Sequence, residues 1–160
     1  MKQSINYIVM ISLLLTLGES KDMKKLTQLQ LEVTQNCGTE PPFNNKYWNN
    51  KEPGIYVDIV SREPLFCSTH KYESGSGWPS FYQPIEKNNL KLSDDYDLGY
   101  KRVEVKGEKS DSHLGHVFED GPEETGKRYC INSASLDFIH KDDMEALGYG
   151  NLLHLIEDKK

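Results

Sequence analysis

The amino-acid sequence predicts a mainly β domain with short helices at its N- and C-terminal edges, and three observations carry that expectation. Apolar residues alternate with period two in three separate stretches of the chain. Turn-rich segments divide those stretches. Helical spacing is confined to the two ends.

Taken in order, LTQLQLEVTQN places Leu26, Leu29 and Val33 at helical spacing, and Thr27 with Gln30 makes a capping-box pair, so one short amphipathic helix is expected. Residues 38–54, GTEPPFNNKYWNNKEPG, are full of Pro, Asn and Gly and read as an ordered loop. Ile55, Val57 and Ile59 then share one face of GIYVDIV. Val103 and Val105 repeat the pattern in YKRVEVK, and Ala134, Leu136 and Phe138 do so in SASLDFI, which makes three half-buried strands. REP, KNN, KGEKSD and EDGPEETG supply the turns between. Near the end, HKDDMEALGYG offers a helical turn or two before Gly148 and Gly150, and NLLHLIEDKK trails into a charged tail.

A chain of 160 residues has room for one domain with a real core plus tails. Its 19 basic and 25 acidic residues give a net charge of −6, and no basic stripe interleaved with aromatics is present, so nucleic acid is not an expected partner. The three cysteines, Cys37, Cys67 and Cys130, form no C-x-x-C pair, which argues against a zinc ribbon and against a dense disulfide scaffold. Residues 1–20 combine a lysine, an apolar run over residues 7–17 and a Gly18-x-Ser20 small-x-small site. They read as a secretory signal peptide, which makes the protein secreted or periplasmic with no stable membrane insertion after processing. The alternative is a cytoplasmic protein translated from Met23.

Three clusters could carry chemistry. In a strand, Arg128, Cys130 and Asn132 alternate onto one face, so a cation, a thiol and an amide line one wall. The competing reading of Cys130 is a buried structural thiol. In HLGHVFED, His113 and His116 flank Gly115, a residue that lets the chain bend so that both rings face one way, and Asp120 follows. Two such rings can hold a polar oxygen or a water; with Cys130 they would equally supply three zinc ligands. In YESGSGWPSF, Trp78 and Phe81 stand beside a glycine-rich turn, as an apolar wall for a methyl or thioether group or as plain core. His70, His140 and His154 are isolated and read as ordinary core or surface residues.

In this order, VTQNCGTEPPF, GIYVDIVSREPLF, YESGSGWPSF, HLGHVFEDGP and RYCINSASLDF closely resemble the B-type peptide methionine-R-sulfoxide reductases; the resemblance covers most of the chain, from about Val33 to Phe138, and the domain is expected over residues 26–140. It implies two antiparallel sheets in a tent-like arrangement, followed by a short helical and charged tail over residues 141–160. By that resemblance Cys130 is the nucleophile that attacks the sulfoxide sulfur and becomes a sulfenic acid as methionine leaves. Trp78, with Phe81, forms the substrate's apolar wall; His113 and His116 bind or protonate the sulfoxide oxygen. Asn132 orients the attacking group, and Arg128, held by Asp120, favours the thiolate. Oxidised proteins carrying methionine R-sulfoxide are the implied substrates of a monomeric enzyme, recycled by thioredoxin or a periplasmic thiol donor.

Two departures from the family pattern matter. Many relatives bind a structural zinc through two C-x-x-C pairs, but Asp58, Ser61, Gly107 and Ser110 stand at those positions, so no zinc or other cofactor is expected. Ser76 stands where many relatives keep the resolving cysteine. Regeneration then needs Cys37 or Cys67, or direct reduction of Cys130 by an external thiol. A binding module that has lost turnover is the competing function, and Ser76 is its best support.

Overall fold

The computed structural model describes residues 25–157, so the segment read as a signal peptide, residues 1–20, lies outside the described residues. Among the described residues, no helix is long and apolar enough to cross a membrane.

Thr27 caps helix α1 (Gln28–Asn36): its hydroxyl accepts from the Gln30 amide at 3.2 Å, and the Gln30 side chain accepts from the Thr27 amide at 2.8 Å. Amides that a helix start leaves unpaired are thus satisfied reciprocally, as the sequence pattern requires. The helix ends at Cys37, which is left-handed with φ of 54° and returns its amide to the Glu32 carbonyl. Of the expected apolar stripe, Val33 is buried and Leu29 stays exposed.

The strands are β1 (Gly54–Asp58), β2 (Pro64–Cys67), β3 (Lys71–Tyr72), β4 (Ser80–Phe81), β5 (Leu90–Asp95), β6 (Arg102–Gly107), β7 (His113–Phe118), β8 (Arg128–Ile131) and β9 (Leu136–His140). They form two antiparallel sheets, a three-stranded one in the order β2-β1-β9 and a six-stranded one in the order β3-β4-β8-β7-β6-β5. Both sheets contribute to a main core in which Phe66 and Phe81 stack with ring centroids 4.5 Å apart, while Tyr56 meets Phe81 edge-on at 5.1 Å. Burying each such side chain is worth about 1.5–3 kcal/mol.

Three expectations are corrected. The first strand is buried on both faces rather than half-buried, because β1 is the middle strand of its sheet. Tyr56 enters the main core, whereas Ile55 and Val57 enter a second, smaller one with Cys67, Ile139 and Met144. The C-terminal segment does not trail away up to Glu157: beyond α2 (Lys141–Met144), Leu152, Leu153, Leu155 and Ile156, the last two in α3 (His154–Glu157), pack against that second core. A sheet face with apolar residues must be covered, and this segment covers it. Ala134, finally, lies in a 3-10 turn (Ser133–Ser135) ahead of β9. The Glu40 carboxylate accepts from the Ser133 and Ala134 amides, which are therefore not available for a strand ladder.

The positions of the relatives' zinc ligands meet at one corner between the sheets. Asp58 Oδ1 accepts from the Val60 and Ser61 amides at 2.8 and 3.0 Å, and Oδ2 accepts from the Ser110 hydroxyl at 2.5 Å. A methyl group on Gly107 would overlap the Asp58 carboxylate. This set does not fit a zinc ion, since it holds no thiolate and its one carboxylate already serves three donors.

Candidate active site

Strand pairing puts Cys130 opposite His116 of β7 on one side and opposite Ser80 of β4 on the other. Alternation along β8 sends Tyr129 and Ile131 into the main core and leaves Cys130 half-buried at a cavity of about 120 Å³. Trp78, His116, Phe118, Asn132, Thr39 and Arg102 line the same cavity. A second cavity, of about 180 Å³, shares Thr39, Arg102 and His116 with the first and adds Cys37, Glu104 and His113.

Residues three apart in a regular strand point to opposite sides, yet His113 and His116 both line the second cavity, their ring centroids 5.5 Å apart. A β-bulge is the cause: Val105 pairs with Gly115 and Lys106 with His113, which leaves Leu114 as the extra residue. Gly115 therefore does not act as a left-handed bend. It is glycine because a side chain there would overlap the Cys130 carbonyl of the neighbouring strand.

Each ring is held by a carboxylate that can only accept. His113 Nδ1 donates to Glu104 at 2.7 Å, and His116 Nε2 donates to Asp95 at 2.6 Å. Both tautomers are set by these contacts. Asp95 also accepts from the Asp97 amide at 2.8 Å and from Arg102 at 2.7 Å, and these donors, with His116, bring its carboxyl down to about 2. His113 is buried, which pushes its imidazole below the ordinary histidine value despite Glu104. Its Nε2 has no hydrogen-bond partner among the described residues.

Arg128 pairs with Asp120 through two bonds of 2.9 and 3.0 Å and lies over the Phe118 ring at 4.4 Å. Burial pushes the Cys130 thiol above the ordinary value. The Ser76 hydroxyl, 3.8 Å from the sulfur, and the Arg128 guanidinium pull the other way without cancelling it. The expected thiolate is thus opposed in the resting site by desolvation, although Arg128 acts in the expected direction.

Asn132 holds two segments together: its Nδ2 donates to the Leu114 carbonyl at 3.1 Å and its Oδ1 accepts from the Glu40 amide at 3.1 Å. The Glu40 carbonyl in turn accepts from the Trp78 indole at 3.0 Å, so one residue ties the wall of the cavity to the end of β8. Phe81 does not line the cavity. It is wholly buried against Phe66, because alternation in β4 turns Ser80 toward the Cys130 side and Phe81 inward. Cys67 is also remote, buried in the second core with its sulfur 3.2 Å from His70 Nδ1. Cys37 is exposed at the mouth of the second cavity, where partial burial, with Glu104 nearby, pushes its thiol up.

Sequence reasoning passed over Asp95, Arg102, Glu104 and Thr39. Glu104 alternates with Val103 and Val105 and so belongs to the open face of its strand, but its pairing with the histidines depends on a register that residue types do not state.

Among known proteins, residues 26–140 match the family described as the SelR domain. The chain is 59% identical over 133 residues to the peptide methionine sulfoxide reductase MsrA/MsrB of Vibrio cholerae serotype O1, over 83% of this chain and 35% of that protein. It therefore spans about a third of the length of that relative.

Proposed function

The chain belongs to the SelR domain family, the B-type methionine sulfoxide reductases, and on that premise we propose that it reduces methionine R-sulfoxide in oxidised proteins to methionine. The observation that carries this reading is the single cavity lined by Cys130, Trp78, His116 and Asn132.

Trp78 is the apolar wall for the methyl group on sulfur, a contact that polarisable sulfur compounds favour. The Cys130 sulfur attacks the sulfoxide sulfur, the S–O bond breaks, and the oxygen ends on Cys130 as a sulfenic acid while the thioether leaves. Two electrons pass from the thiol to the substrate, and the resting thiol, kept protonated by burial, brings the proton that the departing oxygen takes up. His116, held by Asp95, relays that proton. Arg128 stabilises the sulfur as its charge develops, held in place by Asp120.

Cys37 is the resolving thiol in this reading. Its support is that its cavity shares three residues with that of Cys130, whereas Cys67 is wholly buried in the second core. Cys37 attacks the sulfenic acid, a disulfide and water form, and an external dithiol reduces the disulfide. The pattern of residues 1–20 favours export, hence a periplasmic thiol relay as donor; translation from Met23 would make it thioredoxin. The reaction uses one chain and no catalytic metal, so a monomer that turns over without a metal cofactor is proposed.

Cys130→Ser tests the assignment: it abolishes reduction of dabsyl-methionine R-sulfoxide while the circular dichroism spectrum is retained. Substantial turnover by that variant would overturn the reading.

A further inference from the structure

We propose that Cys37, Glu104 and His113 form a binding site for a divalent cation of the zinc type, in the cavity beside that of Cys130. The three side chains come from different elements: Cys37 ends α1, Glu104 lies in β6 and His113 in its paired neighbour β7. Cys37 Sγ is 3.6 Å from Glu104 Oε1, His113 Nδ1 is 2.7 Å from the same oxygen, and the three ligand atoms lie within 4.8 Å of one another. Zinc held tetrahedrally by sulfur, nitrogen and oxygen at its usual bond lengths separates such donors by about 3.3–3.6 Å. The cluster therefore needs only small side-chain adjustments to close on an ion.

The donor chemistry selects the ion. One thiolate, one carboxylate and one neutral imidazole suit a borderline cation such as Zn²⁺ and do not suit Ca²⁺ or Mg²⁺, which take oxygen ligands. A thiolate and a carboxylate together neutralise a dication. Asp94, Asp95 and Asp97 line the same cavity; Asp94 is paired with Lys101 at 3.0 Å and Asp95 with Arg102 at 2.7 Å, which leaves Asp97 to add negative potential against nearby Lys106. Cys37 is exposed, so the fourth coordination position opens to solvent and the ion can exchange. On binding, the metal takes His113 Nδ1, whose proton moves to Nε2 so that the imidazole stays neutral, and the thiol proton leaves to solvent.

Such an ion would hold the thiol that resolves Cys130 and stall recycling. That consequence rests on the reductase reading; the binding itself does not.

The test is a titration of the reduced full-length protein with Co²⁺, followed by displacement with Zn²⁺. One equivalent is expected to bind with a thiolate-to-cobalt charge-transfer band and tetrahedral d–d bands. Cys37→Ser removes the charge-transfer band, Glu104→Gln weakens binding by about tenfold or more, and Cys130→Ser and Cys67→Ser leave the spectrum unchanged. A missing charge-transfer band, or one that survives in Cys37→Ser, overturns the site, as does one abolished by Cys130→Ser. Because the readout is spectral, it holds or fails whether or not the protein turns over sulfoxide; micromolar Zn²⁺ slowing thiol-driven turnover is the separate check on the consequence.

Discussion

Replacing Asp58 by alanine removes the joint between the two sheets at the corner it shares with Gly107 and Ser110. The side chain is wholly buried and its carboxylate accepts three hydrogen bonds, from the Val60 amide at 2.8 Å, the Ser61 amide at 3.0 Å and the Ser110 hydroxyl at 2.5 Å. Hydrogen bonds to a charged acceptor are worth about 1.5–3 kcal/mol each, and the donors left behind are partly recovered by water at the corner. A net loss of about 3–5 kcal/mol is therefore expected for Asp58→Ala. At about 2–4 °C per kcal/mol for a chain of this size, Tm falls by roughly 6–20 °C. Asp58→Asn keeps the Oδ1 acceptor for both amides and can turn its amide toward the Ser110 oxygen, so about 1–2 kcal/mol is expected. Urea denaturation followed by circular dichroism reads both numbers. The reasoning fails if Asp58→Ala costs less than about 1 kcal/mol, or if asparagine is as damaging as alanine.

Three further outcomes follow from the same geometry. Alkylation of Cys130 by iodoacetamide, measured in a Cys37→Ser, Cys67→Ser background, should titrate above the ordinary thiol value. Arg128→Met should move the midpoint higher still, because the guanidinium is one of the groups that lower it. Ser76→Cys introduces a sulfur where a hydroxyl already lies 3.8 Å from the Cys130 sulfur, so adding it to Cys37→Ser should restore disulfide formation after one turnover, read by peptide mapping. The Asp95 carboxyl falls from an ordinary value near 3.8 to about 2 in the fold; its contribution to stability is complete above the ordinary value and fades as pH drops toward 2. Asp95→Asn should therefore flatten the dependence of the urea midpoint on pH between about 4 and 2, against the wild-type slope.

The sequence by itself determined the local features. The capping box of α1, the period-two strands and the alternation that separates Cys130 from Tyr129 and Ile131 each depend on neighbours a few residues apart, and these were legible. The pairing of Arg128 with Asp120, eight residues away, was instead an expectation implied by the family resemblance. Tertiary structure alone decided what depends on partners distant in the chain. Phe81 was expected at the site, but packing against Phe66 drew its ring inward and left Ser80 on the Cys130 side. A bulge set by the β6 register, and not a flexible glycine, turned His113 and His116 to one side and matched them with Glu104 and Asp95. The same pairing, with α1 laid against it, brought Cys37 within reach of Glu104, 67 residues away. Register and layer packing are collective: they arise from burying a whole sheet face at once, and no short stretch of residues encodes them alone.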